Sequence, residues 1–242
     1  MKINVHAGHN PDGKIACGAV GLIKESTQAR KVKNYVIKYL KVAGHTVYDC
    51  TCNNGTSQSD VLNRIGAKCR THTVDLDISI HFNSGAGDKK GNGRTTGTEV
   101  LVYNSSSKVI TPAKNICAEI SKLGYINRGI KYRTDLYVLN NSSKAKNNAL
   151  LIECCFVDDK DDVDKYNAKK MAQAIVVGIL NSYGVNKYKT TKKLNTFNSK
   201  SKKVGSIKKN STCYIDRYTF INGCLMGHRA KADNWVKVRY LV

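Results

Sequence analysis

Short runs of branched apolar residues alternate with stretches whose apolar residues recur at steps of three and four across roughly the first 183 positions. That alternation constrains the fold more than any other feature. Lys2–Val5 reads as a strand. Ala29, Val32, Val36, Tyr39, Leu40 and Ala43 then predict an amphipathic helix from near Glu25 to a stop at Gly44. Thr46–Cys50 reads as a strand, and Ser57 to Asp60 has capping-box spacing ahead of a helix bearing Val61, Leu62, Ile65 and Cys69. Val74–Phe82 and Thr98–Tyr103 read as strands, and the Gly/Lys/Asn-rich stretch 85–97 between them reads as a mobile loop. Thr111 and Pro112 are expected as N-cap and first residue of a helix presenting Ile116, Ile120 and Leu123. Leu136–Leu139 is expected to be extended, Ala149–Val157 to be a strand, and Met171 to Ile179 to lie on a last helix. Strands separated by helices predict an α/β fold, with a largely parallel sheet flanked by helices in three layers. Such sheets carry binding residues at the carboxyl ends of their strands.

This first domain should close near residue 183. The next twenty residues, 184–203, are mostly Asn, Lys, Thr, Ser and Tyr and read as a linker. Residues 204–242 then read as a small β-rich module, because Trp235-Val-Lys-Val-Arg-Tyr-Leu alternates like a strand. Thirty-nine residues are few for an independent core, so this piece is expected to lean on the first domain or on a partner.

The net charge is +22, and it is uneven: residues 187–242 hold 14 Lys/Arg against 2 Asp/Glu. Such a surplus attracts polyanions without choosing among nucleic acid, anionic lipid and anionic wall polymer. No finger, helix-turn-helix or basic-aromatic interleaving supports nucleic acid, and no apolar run reaches the roughly 18 residues of a membrane span. Met1-Lys2 is followed by a polar stretch that lacks the apolar core of a secretory leader, which predicts synthesis in the cytoplasm without a signal peptide. The nine cysteines are odd in number and show no paired CxxC motifs. They read as small buried hydrophobes rather than a disulfide framework. Cys50-Thr-Cys52 is the best metal or redox candidate among them.

Catalytic zinc sites take about three nitrogen or oxygen ligands and keep one position open. His9 after the first strand, Glu25 at the start of the first helix and His81 at the end of a central strand offer such a set. Read singly, His9 is a polar loop residue and Glu25 a favourable helix-start carboxylate. Glu153 is the sharper anomaly, since Ala-Leu-Leu-Ile-Glu-Cys-Cys-Phe-Val surrounds it with residues that favour burial. It either meets a buried cation or sits in a cleft as a proton carrier with a raised pKa. His6 fits a strand-end or supporting role better than a ligand role. His45 and His72 read as capping or surface residues, and His228 as exposed.

Taken in order, four features resemble the zinc-dependent N-acetylmuramoyl-L-alanine amidases with the type-3 catalytic domain, found in bacterial autolysins and phage endolysins. They are Ala-Gly-His9 ahead of Cys17-Gly-Ala-Val-Gly21, Glu25 opening a helix, Ser79-Ile-His81-Phe-Asn83, and Leu151-Ile-Glu153. Gly97-Thr-Glu99-Val also fits the family pattern, and the resemblance covers about residues 1–183. It implies one Zn²⁺ held by His9, Glu25 and His81, with Glu153 as the catalytic glutamate and Asn83 orienting water or substrate. Cys-Cys-Phe after Glu153 departs from the family's small residue, Gly, Phe arrangement and bears on substrate preference.

The implied reaction is hydrolysis of the amide joining N-acetylmuramic acid to L-alanine in peptidoglycan. The basic C-terminal part, whose Asn234-Trp-Val-Lys-Val vaguely resembles bacterial SH3-like domains, would bind the wall and its anionic polymers. The enzyme would reach its substrate after release by a holin or by lysis. Two other readings stay open: a catalytically silent wall-binding protein, and a zinc peptidase cutting within the stem peptide or cross-bridge.

Overall fold

The computed structural model describes residues 1–140 and 148–242. Its first sheet is built from β1 (Lys2–Ala7), β2 (Thr46–Asp49), β3 (Leu76–Asn83), β4 (Thr98–Val102), β5 (Asn127–Tyr132) and β6 (Ala149–Phe156), in the spatial order β2-β1-β3-β6-β4-β5. Neighbours pair in parallel except β4 and β6, which are antiparallel. The helices are α1 (Glu25–Val42), α2 (Gln58–Arg70), α3 (Ile110–Ser121), α4 (Tyr137–Asn140), α5 (Lys160–Lys165) and α6 (Ala168–Leu180).

The period-two alternation of strands sorts side chains between two layers. Ile78, Ile80 and Phe82 of β3 and Leu150 and Ile152 of β6 join Ala29, Val32 and Val36 of α1, Ile116 of α3 and Ile175 of α6 in one core. On the opposite face, Ala149 and Leu151 of β6 and Leu101 of β4 pack with Val61 and Ile65 of α2 and Val138 and Leu139 of α4. Helices on both faces of a mostly parallel sheet make the expected three layers.

Several local expectations are corrected. The third helix begins at Ile110 behind Val109, with no side-chain cap, so Pro112 is its third residue. First-turn N–H groups have no intrahelical acceptor, so proline is tolerated there as well as at the first position. Residues 137–140 form one helical turn, too short to display a period, where an extended segment was expected. Both β5, an edge strand reading Asn-Arg-Gly-Ile-Lys-Tyr, and the short α5 lack a hydrophobic pattern that would reveal them. Stretch 85–97 contains no strand or helix, yet carboxylates fasten it. Asp158 accepts from the amides of Gly85 and Gly87 at 3.0 Å each, Asp161 from Asn92 at 2.8 Å and Asp159 from Thr96 at 2.9 Å.

The linker expectation for 184–203 fails most clearly. β7 (Asn186–Lys189) and β8 (Leu194–Phe197) lie within it, and they join β9 (Lys203–Ile207), β10 (Thr212–Ile221), β11 (Cys224–Arg229) and β12 (Asn234–Lys237). These strands form a separate antiparallel sheet in the order β7-β10-β11-β12-β8-β9. One face of so small a sheet stays wet, so its strands are polar enough to resemble a linker. Only the final part of the Trp235 run departs from a strand, closing in a 3-10 turn at Val238–Tyr240. This sheet leans on the first domain, as its size requires. Phe220 meets Tyr39 edge to face with ring centroids 4.7 Å apart, and the Asn181 side chain accepts from Tyr218 N at 2.7 Å and donates to its carbonyl at 3.2 Å. His228 is buried, not exposed, with its ring nitrogens 2.7 Å from Asp216 and 3.0 Å from Asp233.

Helices α3 and α6 cross at Gly178, where an added Cβ would stand 2.7 Å from the Ile116 Cα. Alanine is the better helix former by about 1 kcal/mol, but here the backbone of the partner helix occupies its space. Gly178→Ala is therefore expected to destabilise the protein by about 1–3 kcal/mol, read from the urea midpoint. An unchanged or raised midpoint would show that the helices separate freely.

Candidate metal centre

Because β1, β3 and β6 run parallel, their carboxyl ends share one edge of the sheet. Antiparallel β4 turns its amino end, with Thr98 and Glu99, to that same edge. His9, His81, Glu153 and Glu99 therefore arrive together from four chain segments.

His9 follows β1 in a left-handed backbone conformation, φ 63°, which is uncommon for a non-glycine residue and persists where neighbours over-determine it. Arg30 supplies that determination from α1. Its guanidinium donates to the His9 carbonyl at 2.8 Å, the Cys52 carbonyl at 2.8 Å and the Ser26 carbonyl at 3.1 Å. Asn10, fully buried, ties the same loop to Gly55 through bonds of 2.7 and 3.0 Å.

Glu25 is the first residue of α1, where unpaired amides favour a carboxylate. One oxygen, Oε2, accepts from Ala19 N at 2.8 Å. The other, Oε1, accepts from Phe82 N at 3.2 Å and lies 2.9 Å from His81 Nδ1 and 3.3 Å from His9 Nε2. Burial alone would raise this carboxyl, but hydrogen bonding from His81 and then His9 outweighs it and holds the group well below the ordinary carboxylate range. Burial pushes the His81 imidazole down, against the pull of Glu25. The ligand atoms of His9, Glu25 and His81 all lie within 4.8 Å of one another. Two imidazoles and one carboxylate, part-exposed on one side, match the donor set of an open zinc site. A divalent ion would replace the proton-mediated contacts between these groups, so the residues fit such a metal.

Two glycines make the cluster possible. A Cβ on Gly8 would overlap the His81 imidazole. One on Gly18, itself at φ +77°, would stand 2.5 Å from Glu25 Oε2 and 2.6 Å from the His9 ring.

Glu153 pairs in register with His81 on one side and Glu99 on the other. A bulge in the β3–β6 ladder follows at once, with Asn83 opposite Phe156, a distortion that re-aims side chains at sheet rims. The buried Glu153 Oε2 has no hydrogen-bond partner among the described residues. Burial, then the charges of Glu25 and Glu99, push its carboxyl well above the usual value, with Arg133 opposing. Glu99 is itself anchored, accepting from Asn83 Nδ2 at 3.0 Å and from Arg128 Nε at 2.8 Å.

The structure thus gathers His9, Glu25 and His81, sets Glu153 beside them, and joins Asn83 to Glu99. His6 does not enter this cluster. It is fully buried lower on β1, with Nδ1 3.3 Å from Ser79 Oγ and Nε2 3.5 Å from Asp77. Arg30, Asn10 and Arg128 were missed by sequence reasoning. An arginine on a helix face and another on an edge strand carry no local mark of what they hold.

The family model for type-3 N-acetylmuramoyl-L-alanine amidases (Amidase_3) matches residues 3–183. The chain belongs to this amidase family. It is 36% identical over 170 residues to an uncharacterized protein of Clostridium perfringens, an alignment covering 70% of this chain and 48% of that one. The amidase chain thus spans about half the length of the curated relatives it matches. Among solved structures, it is similar to the catalytic domain of the CD27L endolysin targeting Clostridia Difficile, with 28% identity and a TM-score of 0.65, covering 75% of this chain and 97% of that domain. Cwp6 from Clostridium difficile matches at 28% identity and TM-score 0.61, over 75% of this chain and 29% of its own.

The close approach at Gly8 generates a test. Gly8→Ala is expected to tilt the His81 ring and weaken zinc binding by at least about tenfold, the usual scale for disturbing a ligand's support, without changing the far-ultraviolet circular dichroism. Unaltered zinc affinity in a competition titration would show that His81 does not depend on that gap.

Proposed function

We propose that this chain is a zinc-dependent amidase hydrolysing the bond between the lactyl group of N-acetylmuramic acid and L-alanine of the stem peptide. The observation that carries this reading is the buried Glu153 Oε2, without a hydrogen-bond partner among the described residues, set in register beside the His81 strand position. A proton carrier needs such an oxygen free to meet water and substrate.

His9, Glu25 and His81 would hold one Zn²⁺, which when bound polarises the amide carbonyl and lets water attack near neutral pH. Glu153 takes a proton from the attacking water at Oε2 and returns it to the departing L-alanine nitrogen. Its apolar surroundings and acidic neighbours favour the protonated form, so the proton is readily held between the two transfers. Glu25, with its carboxyl kept ionised and its Oε2 held by the Ala19 amide, supplies the carboxylate of this set. The Asn83–Glu99 pair lines the same sheet edge and orients the amide. The fastened stretch 85–97 borders an open edge that suits an extended polymer. Products are a glycan carrying a free lactyl carboxylate and a stem peptide with a free amino terminus.

The C-terminal sheet is read as the wall-binding part. A groove of about 370 Å³ between α1 and this sheet is lined by Tyr35, Lys38, Lys169, Lys237 and Arg239, among others. Its charge suits anionic wall polymers, and holding the enzyme on the wall raises the local substrate concentration. No described helix is long and apolar enough to cross a membrane, and release by a holin or by lysis is the setting proposed for access to the wall.

Digestion of purified walls followed by mass analysis tests the reading, with whole stem peptides bearing new L-alanine amino termini expected. Fragments cut inside the stem would make the enzyme a peptidase, and intact walls would make it a silent binder. Glu153→Gln is expected to keep its zinc while kcat falls about a hundred- to ten-thousandfold. Near-normal turnover would assign the proton transfer to another group.

A further inference from the structure

On the side of the sheet covered by α2, a second set of metal-capable groups lies outside the amidase centre. His6 on β1 and Asp77 on β3 bring Nε2 and Oδ1 to 3.5 Å. Cys69, in the last turn of α2, places Sγ 3.8 Å from the same Oδ1, and the ligand atoms of all three lie within 4.8 Å of one another. The buried thiol of Cys50, just past β2, neighbours that of Cys69 and, with burial, pushes it up. None of the four is more than 1% exposed. His6 Nε2, fully buried, lacks a hydrogen-bond partner of proper geometry among the described residues.

The two spacings to Asp77 Oδ1, 3.5 and 3.8 Å, match those between ligands of one ion. Bonds of about 2.0–2.3 Å in a tetrahedral arrangement set donor atoms about 3.3–3.8 Å apart. Burying the His6 Nε2 without a hydrogen-bond partner among the described residues is costly unless something compensates. We propose that His6, Cys69 and Asp77 hold a second, structural zinc ion, with the neighbouring Cys50 thiol, which stands outside their mutual spacing, moving in as the fourth ligand. Two sulfurs, one nitrogen and one oxygen suit Zn²⁺ and disfavour magnesium or calcium, which prefer oxygen alone. All four positions come from protein and none faces solvent, so this site is closed where the amidase centre is open. The supporting contacts fit as well: Ser79 Oγ meets His6 Nδ1 at 3.3 Å, leaving Nε2 for the ion, and Asn4 Nδ2 donates to Asp77 Oδ2 at 3.4 Å. The ion would staple β1, β3, the end of β2 and the end of α2 beneath His9 and His81. Cys52 takes no part, since its thiol points to Asn10 Oδ1 at 3.9 Å.

The test uses the full chain, purified under reducing conditions, with zinc measured by elemental analysis. Two zinc ions per chain are expected, falling to one in His81→Ala and to one in Cys69→Ser. In His81→Ala refilled with Co²⁺, a near-ultraviolet sulfur-to-cobalt charge-transfer band is expected, because the amidase trio contains no sulfur. This measurement decides the matter even if Cys69→Ser fails to fold. A single zinc in the wild type that His81→Ala abolishes, with no such band, overturns the proposal and leaves the amidase reading intact. A Cys50–Cys69 disulfide in the zinc-loaded, active protein overturns it too. Loss of the amidase reading with the cobalt band retained would leave this second site standing.

Discussion

A single buried carboxylate between two imidazoles organises this molecule. Glu25 reaches His81 and His9 from the first turn of α1 while also receiving the Phe82 and Ala19 amides. It thereby joins a helix start, a loop with a left-handed residue and the end of a central strand. An ionised group so deeply placed is tolerable only because every oxygen is engaged. The surrounding glycines exist to let the rings come close, and Arg30 locks the loop that carries one of them.

The sheet order explains why four distant segments meet. Parallel β1, β3 and β6 deliver their carboxyl ends to one rim, and reversal of β4 delivers an amino end there. Glu153 is left between His81 and Glu99 in the ladder. That position sets its chemistry: an apolar strand below, like charges at the sides and no donor for Oε2 among the described residues. Its behaviour follows from topology as much as from the residue itself.

Much of this was legible in the sequence, for definite reasons. The long helices α1 and α6 and the buried strands β3 and β6 have periodic apolar faces that no other arrangement would bury. Glu153 stood out because it interrupts such a face. His9, Glu25 and His81 could be paired only through their order along the chain and a family resemblance, since spacing alone does not tell which loops converge. The polar edge strand β5 hid Arg128, and the wet strands β7 and β8 looked like a tether because half of each faces solvent. Thr111–Pro112 misled by two residues, as a proline fits any place in a first helical turn. Cysteines 50 and 69 appear unrelated in sequence and meet only because α2 folds back over β1 and β3.

The seam between the two sheets has a mechanical consequence. Phe220 against Tyr39, with the paired bonds between Asn181 and Tyr218, leaves no slack hinge after residue 183. If the C-terminal sheet grips the wall, the cutting edge does not roam on a leash. It is presented at one offset and one attitude from the foothold, like a blade fixed to its handle. Which bonds along a glycan are severed would then be dictated by the lattice repeat of the wall relative to that rigid span.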